Sequence, residues 1–237
     1  MTSTQILSIQ IGQAQRLGSE DAADGFQRAW TSAIYKEPVH GPVWVGQTQI
    51  SGDEQADLRV HGGPDKAVNL YPVEHLRAWA VELGLDEMPG GSFGENLTTA
   101  GLLEADVCIG DIFRAGEVLL QVSQPRGPCW KLARRWGVPD LAVRADQTGR
   151  TGWYFRVLEE GHLQAGDRLE LADRPNPVWS IQRAYSVLRA PALSREDALA
   201  LAALPELAAA SRAGLLRGLE TGKRGPRRST LTGEDGD

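Results

Sequence analysis

Short alternating segments bounded by glycine or aspartate recur through the first 173 residues of this 237-residue chain. Apolar and polar residues alternate in them with a period of two, which is typical of half-buried β-strands. The segments that follow this pattern are 5–12, 43–50, 67–71, 107–109, 112–114, 118–123, 152–158 and 168–171. Seven or eight short strands with few helices between them predict a β-barrel rather than a parallel α/β sheet.

The composition changes at Arg174-Pro-Asn-Pro177, after which alanine and leucine dominate and no alternating pattern recurs. Helix start and stop residues there predict three helices, at about 178–189, 194–204 and 205–221. We therefore expect a mainly β protein with some α structure. Its predicted parts are a β-barrel domain in residues 1–173, a small three-helix domain in 174–222 and a disordered polar tail in 223–237.

Composition excludes several classes of function. A net charge of −6 argues against general nucleic-acid binding, although three arginines make the tail locally basic. The first residues lack the basic region of a signal peptide, and no apolar run approaches the ~18–20 residues of a membrane span, so we expect a cytoplasmic location without membrane binding. Two cysteines are too few for a self-contained iron–sulfur cluster, which usually takes four.

Residues 117–137 combine a strand, a loop and a short helix. The first residues alternate as a strand does, and two prolines and a glycine then interrupt regular structure. Leu132 and Trp136 mark one face of the following helix, which Gly137 ends, and we expect both side chains to be buried.

Cys129 falls at or near the first turn of that predicted helix, with Arg126 and Lys131 beside it. Unpaired N–H groups and the helix dipole favour an anion there, so the position favours a thiolate that can bind a metal or attack an electrophile. The alternative is a small buried side chain that only packs the helix. For Cys108, between two apolar residues of a predicted strand, core packing is the better interpretation.

Two glycine-rich segments are further candidates. His61-Gly62-Gly63 can bring a backbone close to a ligand, or can be an ordinary turn with a solvated histidine. Residues 90–94 match the Gly-x-Ser-x-Gly pattern of a hydrolase nucleophile, but the flanking residues predict neither the strand nor the helix that this motif needs. The pattern alone therefore does not support a serine hydrolase.

Three motifs occur in a fixed order: Asp57-x3-His-Gly-Gly-Pro-Asp-Lys-Ala67, Phe93-Gly-Glu-Asn-Leu97 and Gln124-Pro-Arg-x-Pro-Cys129. Together they resemble the MOSC domain family, named for the C-terminus of molybdenum-cofactor sulfurases. The resemblance is strongest to bacterial stand-alone YiiM-like members, which carry a helical C-terminal appendix. It covers roughly residues 5–220 and includes Gly149–Tyr154 and the Arg-Pro-x-Pro boundary at 174–177.

The resemblance implies a MOSC-type β-barrel that binds the molybdenum cofactor, a molybdenum–pterin compound. Cys129 matches the family's cysteine and would be both the molybdenum ligand and the catalytic residue. Related members reduce N-hydroxylated compounds, including hydroxylaminopurine bases, which implies a detoxifying oxidoreductase. The expected reaction breaks the N–O bond with two electrons and releases water.

The resemblance also suggests which residues hold the cofactor. Arg126 and Lys66 would bind its phosphate, together with the backbone amides of Gly62–Gly63 and Gly91–Gly94. His61 and Asn96 would fix the pterin or orient the substrate. The complete predicted binding set is His61, Gly62, Gly63, Lys66, Ser92, Phe93, Gly94, Asn96 and Arg126.

The expected partners are a small N-hydroxylated substrate and an external reductase. Electrons must come from elsewhere, because the chain has neither cluster-forming cysteines nor a Gly-x-Gly-x-x-Gly dinucleotide fingerprint. The C-terminal helices are a candidate docking element for that reductase, or they cover an open barrel edge. The alternative function is a non-catalytic carrier of the cofactor, or of sulfur on Cys129.

Overall fold

The computed structural model of the protein describes residues 3–190, 192, 194–222 and 227–233. Its strands are β1 (Ser3–Ile11), β2 (Gln15–Leu17), β3 (Trp30–Ser32), β4 (Glu37–Pro38), β5 (Val43–Val45), β6 (Val68–Pro72), β7 (Leu97–Thr99), β8 (Ile112–Ala115), β9 (Val118–Pro125), β10 (Trp153–Glu159), β11 (Gly161–Leu163) and β12 (Arg168–Asp173). Its helices are α1 (Leu58–His61), α2 (Val73–Leu83), α3 (Lys131–Trp136), α4 (Leu141–Thr148), α5 (Ile181–Arg189), α6 (Arg195–Ala202), α7 (Ala209–Thr221) and α8 (Arg227–Thr232). No helix within this part of the chain is both long and apolar enough to cross a membrane.

Seven strands form a closed ring in the order β12-β8-β9-β10-β6-β7-β1, because β1 pairs back onto β12. Residues 3–5 of β1 lie antiparallel to residues 168–170 of β12 at this closure. Only β6 and β7 run parallel among the ring pairs, and α2 makes the crossover that a parallel pair requires. The predicted β-barrel is therefore confirmed.

Alternating side chains of the ring strands fill the barrel. On β9 the residues Val118, Leu120 and Val122 are fully buried, as the period-two pattern predicts. Phe113 and Phe155 meet edge to face inside, with ring centroids 6.0 Å apart. This interior is the main hydrophobic core of the protein.

The three helices predicted after residue 174 are present as α5, α6 and α7. Apolar residues of this segment, such as Ile181, Leu201 and Leu207, belong to the same buried cluster as the barrel interior. The backbone N–H of Ile181 also donates to the carbonyl of Val107 at 2.7 Å. Because the ring is closed, the helices cover no open barrel edge; they extend the core instead. The division into separate domains at residue 174 stays a prediction.

Two local predictions were wrong. Cys108 does not lie within a strand; it makes only an isolated bridge with Ser180, and its N–H donates to Asp111 at 2.8 Å in a turn. β9 runs two residues beyond Ser123, the last residue of the predicted alternation, and includes Pro125, which pairs with Trp153. Proline is tolerated there because it is the last residue of the strand.

The tail prediction was also wrong for residues 227–233. This segment forms α8, where Leu231 is buried and the carbonyl of Thr230 accepts a hydrogen bond from the N–H of Trp130 at 2.9 Å. The remaining tail residues, 223–226 and 234–237, lie outside the described residues. The C-terminal segment therefore packs beside the loop that carries Cys129.

We predict that Gly152→Ala destabilises the barrel strongly. Gly152 has a φ of +69°, and a Cβ atom added there would lie 2.2 Å from the carbonyl oxygen of Leu70 on β6. Gly166→Ala is the matched control, because Gly166 also has a positive φ but has open space around it. The control should lose about 1–2 kcal/mol for the left-handed backbone, and Gly152→Ala should lose about 1–3 kcal/mol more for overpacking. Urea denaturation measures both, and equal losses would contradict the steric argument.

Candidate functional site

One cavity brings the three motif segments together. Its empty space of about 580 Å³ includes open solvent at the mouth, and it lies between the segments around α1, the loop before β7 and the loop after β9. The predicted site residues that line it are His61, Lys66, Gly94, Asn96, Arg126 and Cys129. The expected convergence on one cleft is confirmed, and the roles of these residues remain predictions.

Cys129 lies just before α3 rather than in its first turn. Lys131 is the first helical residue, and Trp130 occupies the cap position. The Cys129 carbonyl accepts a hydrogen bond from the N–H of Leu132 at 3.1 Å, which turns the chain into the helix. The side chain of Cys129 is buried at the cavity wall, where Arg126 and Lys131 contribute positive charge.

Arg126 joins two of the motif loops. Its guanidinium donates to the carbonyl of Phe93, and its backbone N–H donates to the carbonyl of Gly152 at 3.1 Å. The side chain is 7% exposed, so the charge is held almost entirely within the protein. A buried guanidinium needs a compensating charge nearby, and the carboxylate of Glu95 is in electrostatic contact with it.

Glu95 organises the loop before β7. The N–H groups of Gly91 and Phe93 donate to its carboxylate at 2.6 and 2.9 Å. Complete burial raises the pKa of Glu95, while these backbone donors and Arg126 act in the opposite direction. The other two N–H groups of the loop, from Ser92 and Gly94, donate to loop carbonyls. The prediction that the Gly91–Gly94 amides bind a ligand was therefore wrong, because the loop uses them itself.

Ser92 and Phe93 lie behind the cavity rather than on its wall. The ring of Phe93 stacks on Tyr71 with centroids 4.5 Å apart, and the carbonyl of Ser92 accepts from the indole N–H of Trp136 at 2.9 Å. Both residues are fully buried, so they support the loop from inside. Trp136 is only half-buried, unlike the prediction, because its indole reaches across to this loop; Leu132 is fully buried as predicted.

Gly62 and Gly63 also do not line the cavity. They connect α1 to a single turn of 3-10 helix at Pro64–Lys66. A Cβ atom at Gly62 would lie 2.8 Å from a methyl group of Leu58, and Gly63 has a φ of +93°. These glycines let the chain turn sharply enough to place His61 and Lys66 on the same wall.

His61 faces a positively charged environment. Burial lowers the pKa of its imidazole to about 4, and the nearby charges of Lys131, Arg126 and Lys66 act in the same direction. The imidazole is therefore neutral at pH 7, when it can donate one hydrogen bond and accept another. It adds no charge to the cavity.

A buried ion pair between Lys36 and Asp53 also lines the cavity. The ammonium of Lys36 pairs with the carboxylate of Asp53, which also accepts from the N–H of Gly12 at 2.8 Å and the amide of Asn96 at 2.9 Å. Burial lowers the pKa of Lys36, and the charge of Asp53 opposes that shift. Sequence analysis did not identify this pair, because neither residue belongs to one of the three motifs.

Asn69 and Tyr154 are two more cavity residues that sequence reasoning missed. They are directly opposite each other on β6 and β10, so their side chains share one face. Burial raises the pKa of Tyr154, so its phenol keeps its proton at neutral pH. Alternation along the two strands could have identified them, because both are polar residues between apolar neighbours.

The side chains of the cavity suit an anionic ligand that carries a soft metal. Lys66, Arg126 and Lys131 supply positive charge, and the thiol of Cys129 supplies a soft ligand atom. Among the charged residues that line the cavity, the four cationic side chains Lys36, Lys66, Arg126 and Lys131 outnumber the two carboxylates Asp53 and Glu54, so the formal charge of the lining is positive. Such a cavity is able to bind a phosphate group and a metal together.

Comparison with known proteins gives consistent matches. A family model described as MOSC domain matches residues 57–170. Among curated relatives, the uncharacterized protein YflK of Bacillus subtilis is 46% identical over 182 residues, which cover 77% of this chain and 79% of YflK. A Gibberella moniliformis protein named Reductase is 44% identical over 163 residues, 68% of this chain but only 29% of that protein.

This chain is also similar in fold to a solved structure. The crystal structure of YiiM from Geobacillus stearothermophilus matches with a TM-score of 0.76 and 38% sequence identity. The match covers 91% of this chain and 99% of the YiiM chain. The likeness therefore includes the barrel and most of the helical C-terminal part.

We predict that His61 titrates near pH 4 in an NMR titration of its imidazole. Lys131→Met should raise that midpoint towards the ordinary value of 6.5, because it removes a repulsive charge, but only in part, because burial is the larger cause. Arg195→Met on α6 is the control, since it removes the same charge outside the cavity wall and should leave the midpoint unchanged. A wild-type midpoint near 6.5 would show that the imidazole is solvated.

Proposed function

This chain belongs to the MOSC domain family and is YiiM-like, and from that membership we propose that it binds the molybdenum cofactor and reduces N-hydroxylated compounds. Hydroxylaminopurine bases are the expected substrate type. The observation that carries the proposal is that one cavity contains the thiol of Cys129 together with Lys66, Arg126 and Lys131.

The residues of the cavity fit the cofactor chemically. A thiolate sulfur at Cys129 suits a soft metal, and the three cationic side chains suit a phosphate group. The side-chain oxygen Oδ1 of Asn69 is buried and has no hydrogen-bond partner within the described residues, so the wall also contains an unsatisfied acceptor. Cys129 would hold the metal, and Arg126, Lys66 and Lys131 would hold the phosphate.

Reduction of an N-hydroxyl group consumes two electrons and two protons, breaks the N–O bond and yields an amine and water. The bound cofactor would supply the electrons. The protons must come from the protein or solvent, and the neutral imidazole of His61 is a poor acid at pH 7. Lys36 and Tyr154 line the same cavity. Burial lowers the pKa of Lys36, which makes its ammonium a stronger acid, and raises the pKa of Tyr154, which keeps its phenol protonated, so these two side chains are the candidate acids.

A non-catalytic carrier of the cofactor, or of sulfur on Cys129, would use the same cavity. The name of the fungal relative favours a reductase, although this chain matches less than a third of that protein. We also propose that an external reductase supplies the electrons, since the sequence lacks a dinucleotide fingerprint. Turnover of 6-hydroxylaminopurine with an artificial reductant supports the enzyme, whereas a cofactor-loaded protein without turnover supports the carrier.

We predict that Cys129→Ala loses molybdenum and pterin when the protein is purified from a molybdenum-replete host that makes the cofactor. The variant removes the proposed metal ligand while leaving the phosphate-binding cations in place. Mass spectrometry for molybdenum and fluorescence of the oxidised pterin measure the two losses.

The control is Cys108→Ala, which removes a buried thiol outside the cavity. It should keep the wild-type metal and pterin content, and circular dichroism should show that both variants are folded. Full molybdenum occupancy in Cys129→Ala would refute the ligand assignment.

A further inference from the structure

The side chain of Asn69 is buried at the cavity wall with an unsatisfied polar atom. The residue is 6% exposed, and no hydrogen bond to its Oδ1 atom exists within the described residues. Such atoms are uncommon in folded proteins, because leaving a buried acceptor unpaired costs free energy. Among the described residues, five buried side-chain atoms lack a partner, and only this one belongs to a residue that lines the cavity.

The backbone of Asn69 is fixed while its side chain is not. Its N–H donates to the side chain of Asn96 at 3.1 Å, and its carbonyl accepts from the N–H of Asn96 at 2.8 Å. The side chain of Asn96 in turn donates to Asp53 at 2.9 Å. The position of Asn69 is therefore set by main-chain contacts, so its carboxamide is not required to hold the strand in place.

The neighbours of Asn69 place it close to the proposed reaction centre. Tyr154 is its partner across the strand pair, and the phenol of Tyr154 is in electrostatic contact with both Arg126 and Cys129. A molecule held by Cys129 and the cavity cations would lie against this wall. An amide at that point can accept one hydrogen bond and donate another at the same time.

We propose that Asn69 is a positioning residue whose carboxamide accepts a hydrogen bond from an N–H or O–H group of the molecule bound in the cavity. The inference rests on the proposed function and names a residue that the motifs do not contain. Two sources carry the required donor: an N–H group of the cofactor's pterin ring, and the N-hydroxylamino group of the substrate. Both present a donor beside an acceptor, which is the pattern that a carboxamide recognises.

The test is Asn69→Leu, which keeps the shape of the side chain and removes its polar atoms. Cofactor-free Asn69→Leu should melt at or above the temperature of the cofactor-free wild type, because the unsatisfied acceptor is gone and the backbone bonds to Asn96 remain. If the cofactor is the donor, pterin content should fall about tenfold. If the substrate is the donor, pterin content stays constant and KM for 6-hydroxylaminopurine rises about tenfold with little change in kcat.

Thr99→Val is the matched control. The hydroxyl of Thr99 on β7 is also buried without a partner in the described part of the chain, but this residue is not part of the cavity wall. Thr99→Val should therefore also preserve or raise the melting temperature, and should change neither pterin content nor KM.

Two results would overturn the inference. A cofactor-free Asn69→Leu protein that melts well below wild type would mean that the carboxamide has a structural role. Unchanged pterin content together with unchanged KM would mean that no bound molecule uses it. A wild-type protein that neither carries pterin nor turns over refutes the proposed function instead, and the melting comparison, which needs no ligand, still decides whether Asn69 is structural.

Discussion

The buried carboxylate of Glu95 is the charge on which the geometry of the cavity depends. It accepts hydrogen bonds from the loop backbone at Gly91 and Phe93, and it is in electrostatic contact with the cations of Arg126, Arg135 and Lys36. A buried anion of this kind is stable only when donors and cations surround it. Two of these cations, Arg126 and Lys36, line the cavity, where an anionic ligand could interact with them.

The closed barrel explains how residues from separate parts of the sequence meet in one cavity. Arg126 follows the end of β9, Asn69 lies on β6 and Asn96 precedes β7, so ring pairing brings them to one end of the barrel. Cys129 is added by the turn into α3, whose next residues also reach back to other loops: the Lys131 ammonium donates to the carbonyl of Thr31 at 2.9 Å. The proposed metal ligand, the cations and the polar wall therefore come from separate segments that the closed ring brings to one end of the barrel.

Most ring strands and part of the candidate site could be predicted from the sequence, because the signals for them lie within short segments. Period-two alternation identified most ring strands, and the position of Cys129 beside Arg126 and Lys131 indicated a thiolate. The family resemblance added Lys66 and Arg126 as candidates for phosphate binding. The errors were long-range: nothing in the sequence shows that Glu95 consumes the loop amides or that Lys36 pairs with Asp53, because those contacts exist only after the loops meet. The polar composition of the tail also did not indicate that part of it forms α8, in which Leu231 is buried.

The central claim is that the sulfur of Cys129 is bonded to molybdenum inside this cavity. The most direct measurement replaces that sulfur with selenium in a Cys108→Ser background and records selenium X-ray absorption of the protein purified with its cofactor. Because Cys129 is then the sole cysteine of the chain, selenocysteine incorporation marks one position. We expect molybdenum as a bonded neighbour of the selenium. A spectrum with carbon as the only neighbour, from protein that contains stoichiometric molybdenum, would contradict the account.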